Sequence, residues 1–202
     1  MITRAESAAA TRRALMDVAE TLLDQGGSAA VTMREVGDGA GVSRSASYRH
    51  FPDKESLLLA VAARAWDSLA AEIEEIAADS ALDLERAVRS SLTALLTIAR
   101  TRPHLYRLMY APAPGDTGQV STAALRAQAA FLAVLRNGLG EPAEKLTGLL
   151  TAAAHGVADL EIAGHLPPDK WNADGDALLD LLVRLALRSE VHEVQEPFSN
   201  GS

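Results

Sequence analysis

The sequence predicts an all-α protein of about nine helices, divided between a small unit of short helices over residues 1–54 and a larger helical unit over 55–202. Ala, Leu, Arg and Glu dominate the 202 residues, and aromatics make up only 4%. β-Branched runs of the strand type are absent, and the apolar residues recur at helical spacing. With 48% apolar residues the chain can fill a core without staples.

The first helix is expected over about Thr11 to Gln25, with Leu15, Val18, Ala19 and Leu22 on one face, stopping at Gly26-Gly27 as a left-handed cap. Residues Met1 to Ala8 read as frayed. Thr32 and Glu35 then stand at the spacing in which a hydroxyl and a carboxylate reciprocally satisfy backbone N–H groups, so a short second helix begins there. Gly37, Gly39 and Gly41 crowd its end, and Ser43 caps a third helix over 44–50. Phe51-Pro52 ends that helix, and Asp53 caps a fourth running from Lys54 to about Ala78.

Further helices are expected at about 82–101, 103–110, 120–137, 142–163 and 175–192. Pro103 suits a first helical position, and the stretches 111–118, 137–142 and 164–175 carry turn residues. The tail 194–202 reads as frayed.

Composition narrows the function. There are no cysteines, which excludes disulfides, Cys-based zinc sites and thiol catalysis. No apolar run approaches the ~18 residues of a membrane span, and the N-terminus lacks a secretory pattern, so a cytoplasmic protein is expected. The net charge of −8 argues at first against a nucleic-acid partner. Yet residues 1–54 hold seven Lys/Arg and seven Asp/Glu, and the whole deficit, 12 − 20 = −8, lies after Lys54. A neutral unit whose cations cluster over residues 34–54 can still present a positive face to phosphate.

Two short helices joined by a glycine-containing turn form the helix-turn-helix geometry, whose second helix can enter a DNA major groove. Arg44 could reach guanine O6 and N7, while Ser45, Ala46 and Ser47 keep the approach open. Tyr48 and His50 would donate to phosphates, joined by Lys54 and the N–H groups that start the fourth helix. The alternative for any one of these residues is a solvated surface; the ordered combination of caps, turn, polar helix and stop favours DNA.

The stretch TMREVGDGAGVSRSASYRHFPDKESLL resembles the DNA-binding signature of the TetR family of one-component bacterial regulators, over about residues 11–58. The resemblance implies phosphate contacts from Thr32, Arg34, Ser43, Tyr48, His50 and Lys54, with Arg44, Ser45, Ser47 and Arg49 nearest the bases. Gly37 departs from the pattern, which usually has alanine there; a glycine in a helix costs about 1 kcal/mol against alanine. The function implied is a transcriptional regulator, a repressor released from a palindromic operator by a small-molecule effector.

Half-sites one duplex turn, roughly 34–36 Å, apart call for a two-fold dimer. Leu146, Leu149, Leu150, Ala153, Val157 and Leu160 form one stripe, and Leu178, Leu181, Leu182 and Leu185 a second. Such stripes alone suit an intramolecular core; the family analogy assigns them to an intersubunit four-helix bundle. Trp66, Leu92, Leu95, Leu105, Met109, Phe131 and His155 are candidates to line an effector pocket, with simple core as the alternative. His155-Gly156 also resembles a TetR subgroup with a His-Gly pair in its C-terminal domain, although the tryptophan common shortly before that histidine is replaced here by alanines.

The rival reading is an all-α enzyme or metal-binding protein centred on His155 and Asp159, four apart on one helix face, with His104 or His165. No third ligand follows from local spacing and no phosphate loop or Gly-x-Ser-x-Gly occurs, so catalytic residues, metal and cofactor are all expected to be none. An architectural DNA binder without a ligand is a third class.

Overall fold

The computed structural model describes residues 3–111, 118–139 and 143–193, and among these the regular structure is entirely helical. The ten helices are α1 (Arg4–Ala30), α2 (Met33–Gly39), α3 (Arg44–His50), α4 (Lys54–Ala78), α5 (Leu84–Thr101), α6 (Pro103–Tyr110), α7 (Gln119–Leu139), α8 (Ala143–Ile162), α9 (Pro168–Trp171) and α10 (Gly175–Glu193). The expected α3, α4 and α6 appear with the expected bounds. The tenth helix is the four-residue α9, inside the 164–175 stretch expected to be all turn. Most of the turns expected at 111–118 and 137–142, and the tail 194–202, lie outside the described residues.

The N-terminus departs from expectation. Helix α1 starts at Arg4 because Thr3 and Glu6 form a complete capping box: Glu6 N–H donates to Thr3 Oγ1 at 3.2 Å and Thr3 N–H donates to Glu6 Oε2 at 2.7 Å. Residues 3–10 are nevertheless all exposed. The expected stop is present as a break, with Gly26 and Gly27 out of helical geometry and Gly27 at φ 68°.

The chain forms two compact units. The first comprises Met1–Ser68 and Thr101–Leu125, the second Leu69–Arg100 and Arg126–Ser202. The first takes in more than the 1–54 segment, because α6 packs on α1. Helix α4 contributes residues 54–68 to the first unit and 69–78 to the second.

In the first unit Leu15, Leu23, Val36, Phe51, Leu57 and Tyr106 are almost fully buried, each apolar side chain contributing about 1.5–3 kcal/mol on leaving water. Polar contacts then fix the angles. Glu20 of α1, its side chain 18% exposed, accepts from Arg64 of α4 and from Arg102 ahead of α6. Arg64 also reaches Asp17 at 2.7 Å, and Arg102 reaches Asp24 at 2.9 Å. Three helices therefore converge on one carboxylate.

In the second unit two arginines of α5 perform the same task. The Arg100 guanidinium donates to both oxygens of Glu161 at 2.8 and 2.9 Å and to both of Asp176 at 3.0 Å. It thus joins the end of α8 to the start of α10. Arg89 stands 2.8 Å from Asp180, about one turn further along α10. Glu161 also accepts the Gly175 N–H at 3.1 Å, and a Cβ at Gly175 would meet that carboxylate and oblige it to shift.

Glu20→Ala is expected to lower stability by about 1–3 kcal/mol, between the values for exposed and buried ion pairs, because both guanidiniums lose their shared acceptor. Urea unfolding monitored by circular dichroism checks this; an unchanged midpoint would mean that apolar packing alone sets the α1, α4 and α6 angles.

Candidate nucleic-acid interface

Helix α2 buries Met33 and Val36, while the ends of both short helices are set by local polar chemistry. At the start of α2 the Glu35 N–H donates to Thr32 Oγ1 at 3.2 Å, as expected. The reciprocal half differs: the Glu35 carboxylate accepts from the Thr32 hydroxyl at 2.7 Å instead of from a backbone N–H. After α2 the chain turns through Gly41 at φ 66°, a left-handed conformation that favours glycine. Val42 N–H reaches back to Gly37 O at 3.0 Å, closing the turn.

Ser43 caps α3 by accepting from Ala46 N–H at 3.3 Å. At the other end Phe51, 2% exposed, donates its N–H to Ser47 O at 3.0 Å and buries its ring. The Arg12 guanidinium of α1 lies 4.2 Å from that ring centroid and donates to His50 O at 3.4 Å. This cation–π contact and the carbonyl it serves fasten the end of α3 to α1. Asp53 then caps α4, accepting from Ser56 N–H at 2.7 Å. That backbone bond, followed by the Ser56 hydroxyl, holds the Asp53 carboxyl below its ordinary value, so the cap is ionised at neutral pH.

Helix α3 divides cleanly into two faces. Arg44, Ser45, Tyr48 and Arg49 are exposed, at positions i, i+1, i+4 and i+5 of one outward surface. Tyr48 is 41% exposed, with the Arg44 guanidinium 5.7 Å from its ring centroid. Ala46 and His50 are half-buried. Ser47 is 0% exposed, which corrects the expectation that it stands among the residues nearest the bases. Its hydroxyl points inward against α2 and donates to Ser43 O at 3.4 Å. The burial reflects helical geometry: three residues on from Arg44, position 47 falls about 60° to the far side of the outward arc.

Around this surface Thr32 is exposed but spends its hydroxyl on its own cap. Arg34 is exposed and stands 3.8 Å from Asp38, an exposed pair of little energetic weight. Lys54 donates to Ser28 O at 2.5 Å, which leaves two of its ammonium protons for other acceptors. Arg44, Arg49 and Lys54 have no carboxylate partner among the described residues. Sequence reasoning missed Arg12 and the inward role of Ser47; both contacts join residues distant in the chain, and no local spacing announces them.

The remaining candidates fall into both units. Trp66, Leu105 and Met109 are buried in the first, where Trp66 Nε1 donates to Met109 O at 3.1 Å and its ring meets Tyr110 edge-on at 5.1 Å. Leu92, Leu95 and Phe131 are buried in the second. His155 is partly exposed, with Nε2 3.6 Å from Asp159 Oδ2. The described residues contain no group of three or more potential metal ligands, so the third ligand required by the rival reading is not found among them.

Of the leucine stripes, Leu146 and Leu150 belong to the chain's own core, at 6% and 0% exposure, which corrects their assignment to an intersubunit surface. Leu149, Leu160, Leu181 and Leu185 point outward with 45–56% exposure, flanked by half-buried Ala153, Val157, Leu178 and Leu182.

Comparison with known proteins agrees with this geometry. Residues 15–61 match the family model for bacterial regulatory proteins of the tetR family, and residues 88–186 match that for the tetracyclin repressor-like C-terminal domain. The HTH-type transcriptional repressor KstR2 of Rhodococcus jostii is 36% identical over 87 residues, 42% of this chain and 43% of that protein. An uncharacterized HTH-type transcriptional regulator of Mycobacterium tuberculosis is 32% identical over 126 residues, 62% of this chain and 61% of the other. The matched stretches thus span less than two thirds of either relative. A solved structure of a protein of unknown function from Rhodococcus sp. RHA1 superposes with a TM-score of 0.76 at 25% identity, covering 89% of this chain and 94% of that one. A TetR transcriptional regulator from the same source shares the fold at a TM-score of 0.67 and 21% identity, covering 90% of this chain and 98% of that one. With one family model on the helix-turn-helix and the other on α5 through α10, the chain belongs to the TetR family of bacterial regulatory proteins.

Proposed function

We propose that the protein is a homodimeric transcriptional regulator, a repressor that grips a palindromic operator through α3 and is released when a small-molecule effector binds. The observation that carries the reading is the outward face of α3: four polar side chains, two of them arginines without a carboxylate partner among the described residues, on a helix capped at both ends. Base edges in a major groove are read by such donors, and Arg to guanine is the commonest specific contact. Thr32, Arg34, Ser43, His50 and Lys54 surround this face and suit phosphate oxygens.

The dimer is supported by the exposed leucines of α8 and α10. Four large apolar side chains at 45–56% exposure on two helices that pack together are poorly disposed toward water, and a second copy buries them in a two-fold bundle. Trp66, Leu105 and Met109 in the first unit, and Leu92, Leu95, Phe131 and His155 in the second, are the candidates to line an effector site within their own unit. An effector favouring the arrangement with wrongly spaced half-sites shifts the population away from DNA, by no more than its differential affinity for the two arrangements. No described helix is long and apolar enough to cross a membrane, which suits a regulator working in the cytoplasm.

On a duplex enriched by the protein from a random library, Tyr48→Ala and Lys54→Ala are expected to weaken binding to all sequences alike. Arg44→Ala is expected to lose about 1–3 kcal/mol of discrimination at one base pair. Fluorescence anisotropy across single-base variants separates these outcomes, and equal loss of selectivity in all three would overturn the assignments. Affinity is also expected to fall steeply with added salt, because releasing counterions into a more concentrated solution gains less entropy.

Leu181→Glu with Leu185→Glu is expected to convert the dimer to monomer in sedimentation velocity without loss of helix content. A dimer of unchanged strength would move the interface elsewhere.

A further inference from the structure

Helix α3 has a single fully buried residue, and it is a serine. Its inward neighbour is Gly37 of α2, itself buried. A Cβ placed on Gly37 would lie 2.8 Å from Ser47 Oγ, too close for any real contact, but 3.9 Å from Ser47 Cβ, an ordinary van der Waals distance. Gly37 lies inside α2 and is not among the residues of positive φ, so its backbone is one that alanine adopts readily. Glycine there is costly to a helix, and what it gains is space for one hydroxyl group.

We infer that Gly37 and Ser47 form a matched seat that sets where the recognition helix stands on α2, making Ser47 a positioning residue for base reading by Arg44 and Arg49. The inference rests on the DNA-binding reading of α3. Ser47 stands midway between the caps: its N–H donates to Ser43 O at 3.1 Å, its hydroxyl donates to the same carbonyl at 3.4 Å, and its own carbonyl accepts from Phe51 at 3.0 Å. A displacement of Ser47 therefore carries the whole helix. Arg44 and Arg49 are carried on this helix, and side chains that read bases must be held within about 0.5 Å of their working geometry. Adding a Cβ at Gly37 forces either the hydroxyl out of its place or α3 away from α2; deleting the hydroxyl at the same time restores the fit.

The test is a double-variant cycle on the full chain: Gly37→Ala, Ser47→Ala and the two combined. Affinity is measured for the duplex the parent enriches and for a scrambled duplex of equal length, alongside urea unfolding. Gly37→Ala is expected to lose about tenfold in preference for the enriched duplex, and the combined variant to return to within about threefold of the parent. Ser47→Ala alone is expected to stay within about threefold of the parent. Loss of preference in both variants lacking the hydroxyl would show that Ser47 touches bases and would overturn the seat. Full preference in Gly37→Ala would overturn it as well. If Gly37→Ala does not fold, the combined variant against Ser47→Ala decides: equal preference upholds the pairing and a drop in the combined variant sinks it. Failure of the DNA-binding reading is distinguishable, because the parent would then enrich no duplex while the unfolding cycle still showed the two sites coupled.

Discussion

A seven-residue helix with one buried side chain has to be held by its surroundings, and the first unit is organised around that constraint. Helix α3 spends its outer surface on polar groups, so no apolar face of its own can secure it. The adjoining segments supply what is missing. Ser43 fixes the start, Gly41 permits the turn that leads into it, Phe51 buries the exit, and Arg12 clamps ring and carbonyl together from α1. Within the helix body the fully buried side chain is Ser47, set against Gly37 of α2. An outward face rich in donors becomes possible because the anchoring is done at the ends.

The same division explains how an acidic chain can present cations to a polyanion. Arg64, Arg89, Arg100, Arg102, Arg126 and Arg136 are each engaged with one or more carboxylates, most of them between helices. Those charges are structural: they set helix angles in each unit and leave little positive potential behind. The cations on α3 are not consumed in this way. Net charge, being a sum, reports neither use.

The elements legible in the sequence are those whose signals are local. The Ser43 and Asp53 caps, the Gly41 turn, Phe51-Pro52 and Pro103 each act within a few residues, and α3, α4 and α6 appear accordingly. The family signature covers the segment whose outward face is polar, residues 44–49 of α3. Contacts between residues distant in the chain were hidden. Arg12 meets Phe51 only after α1 folds back, and Ser47 turns inward because of helix rotation and of a glycine ten positions earlier. The leucine stripes illustrate the limit from another side. Periodicity collected Leu146, Leu149 and Leu150 into one set, but only packing separates the two that fill the core from the one left outside. Glycine at position 37, which looked like a local defect of α2, becomes intelligible once its partner in α3 is seen.

Before the break at Gly26-Gly27, helix α1 runs without interruption from Arg4 to Gln25, yet its parts rest on different supports. From Leu15 onward the helix is held by burial and by Glu20. Residues 3–10 touch no core at all and depend on the capping box, a run of alanines and the rest of the helix. Because opening those turns exposes almost no new apolar surface, they can uncoil at a free energy far below that of global unfolding. The run from Arg4 to Gln25 is thus thermodynamically two segments: an inner rod that melts only with the whole unit, and an outer extension that winds and unwinds on its own account.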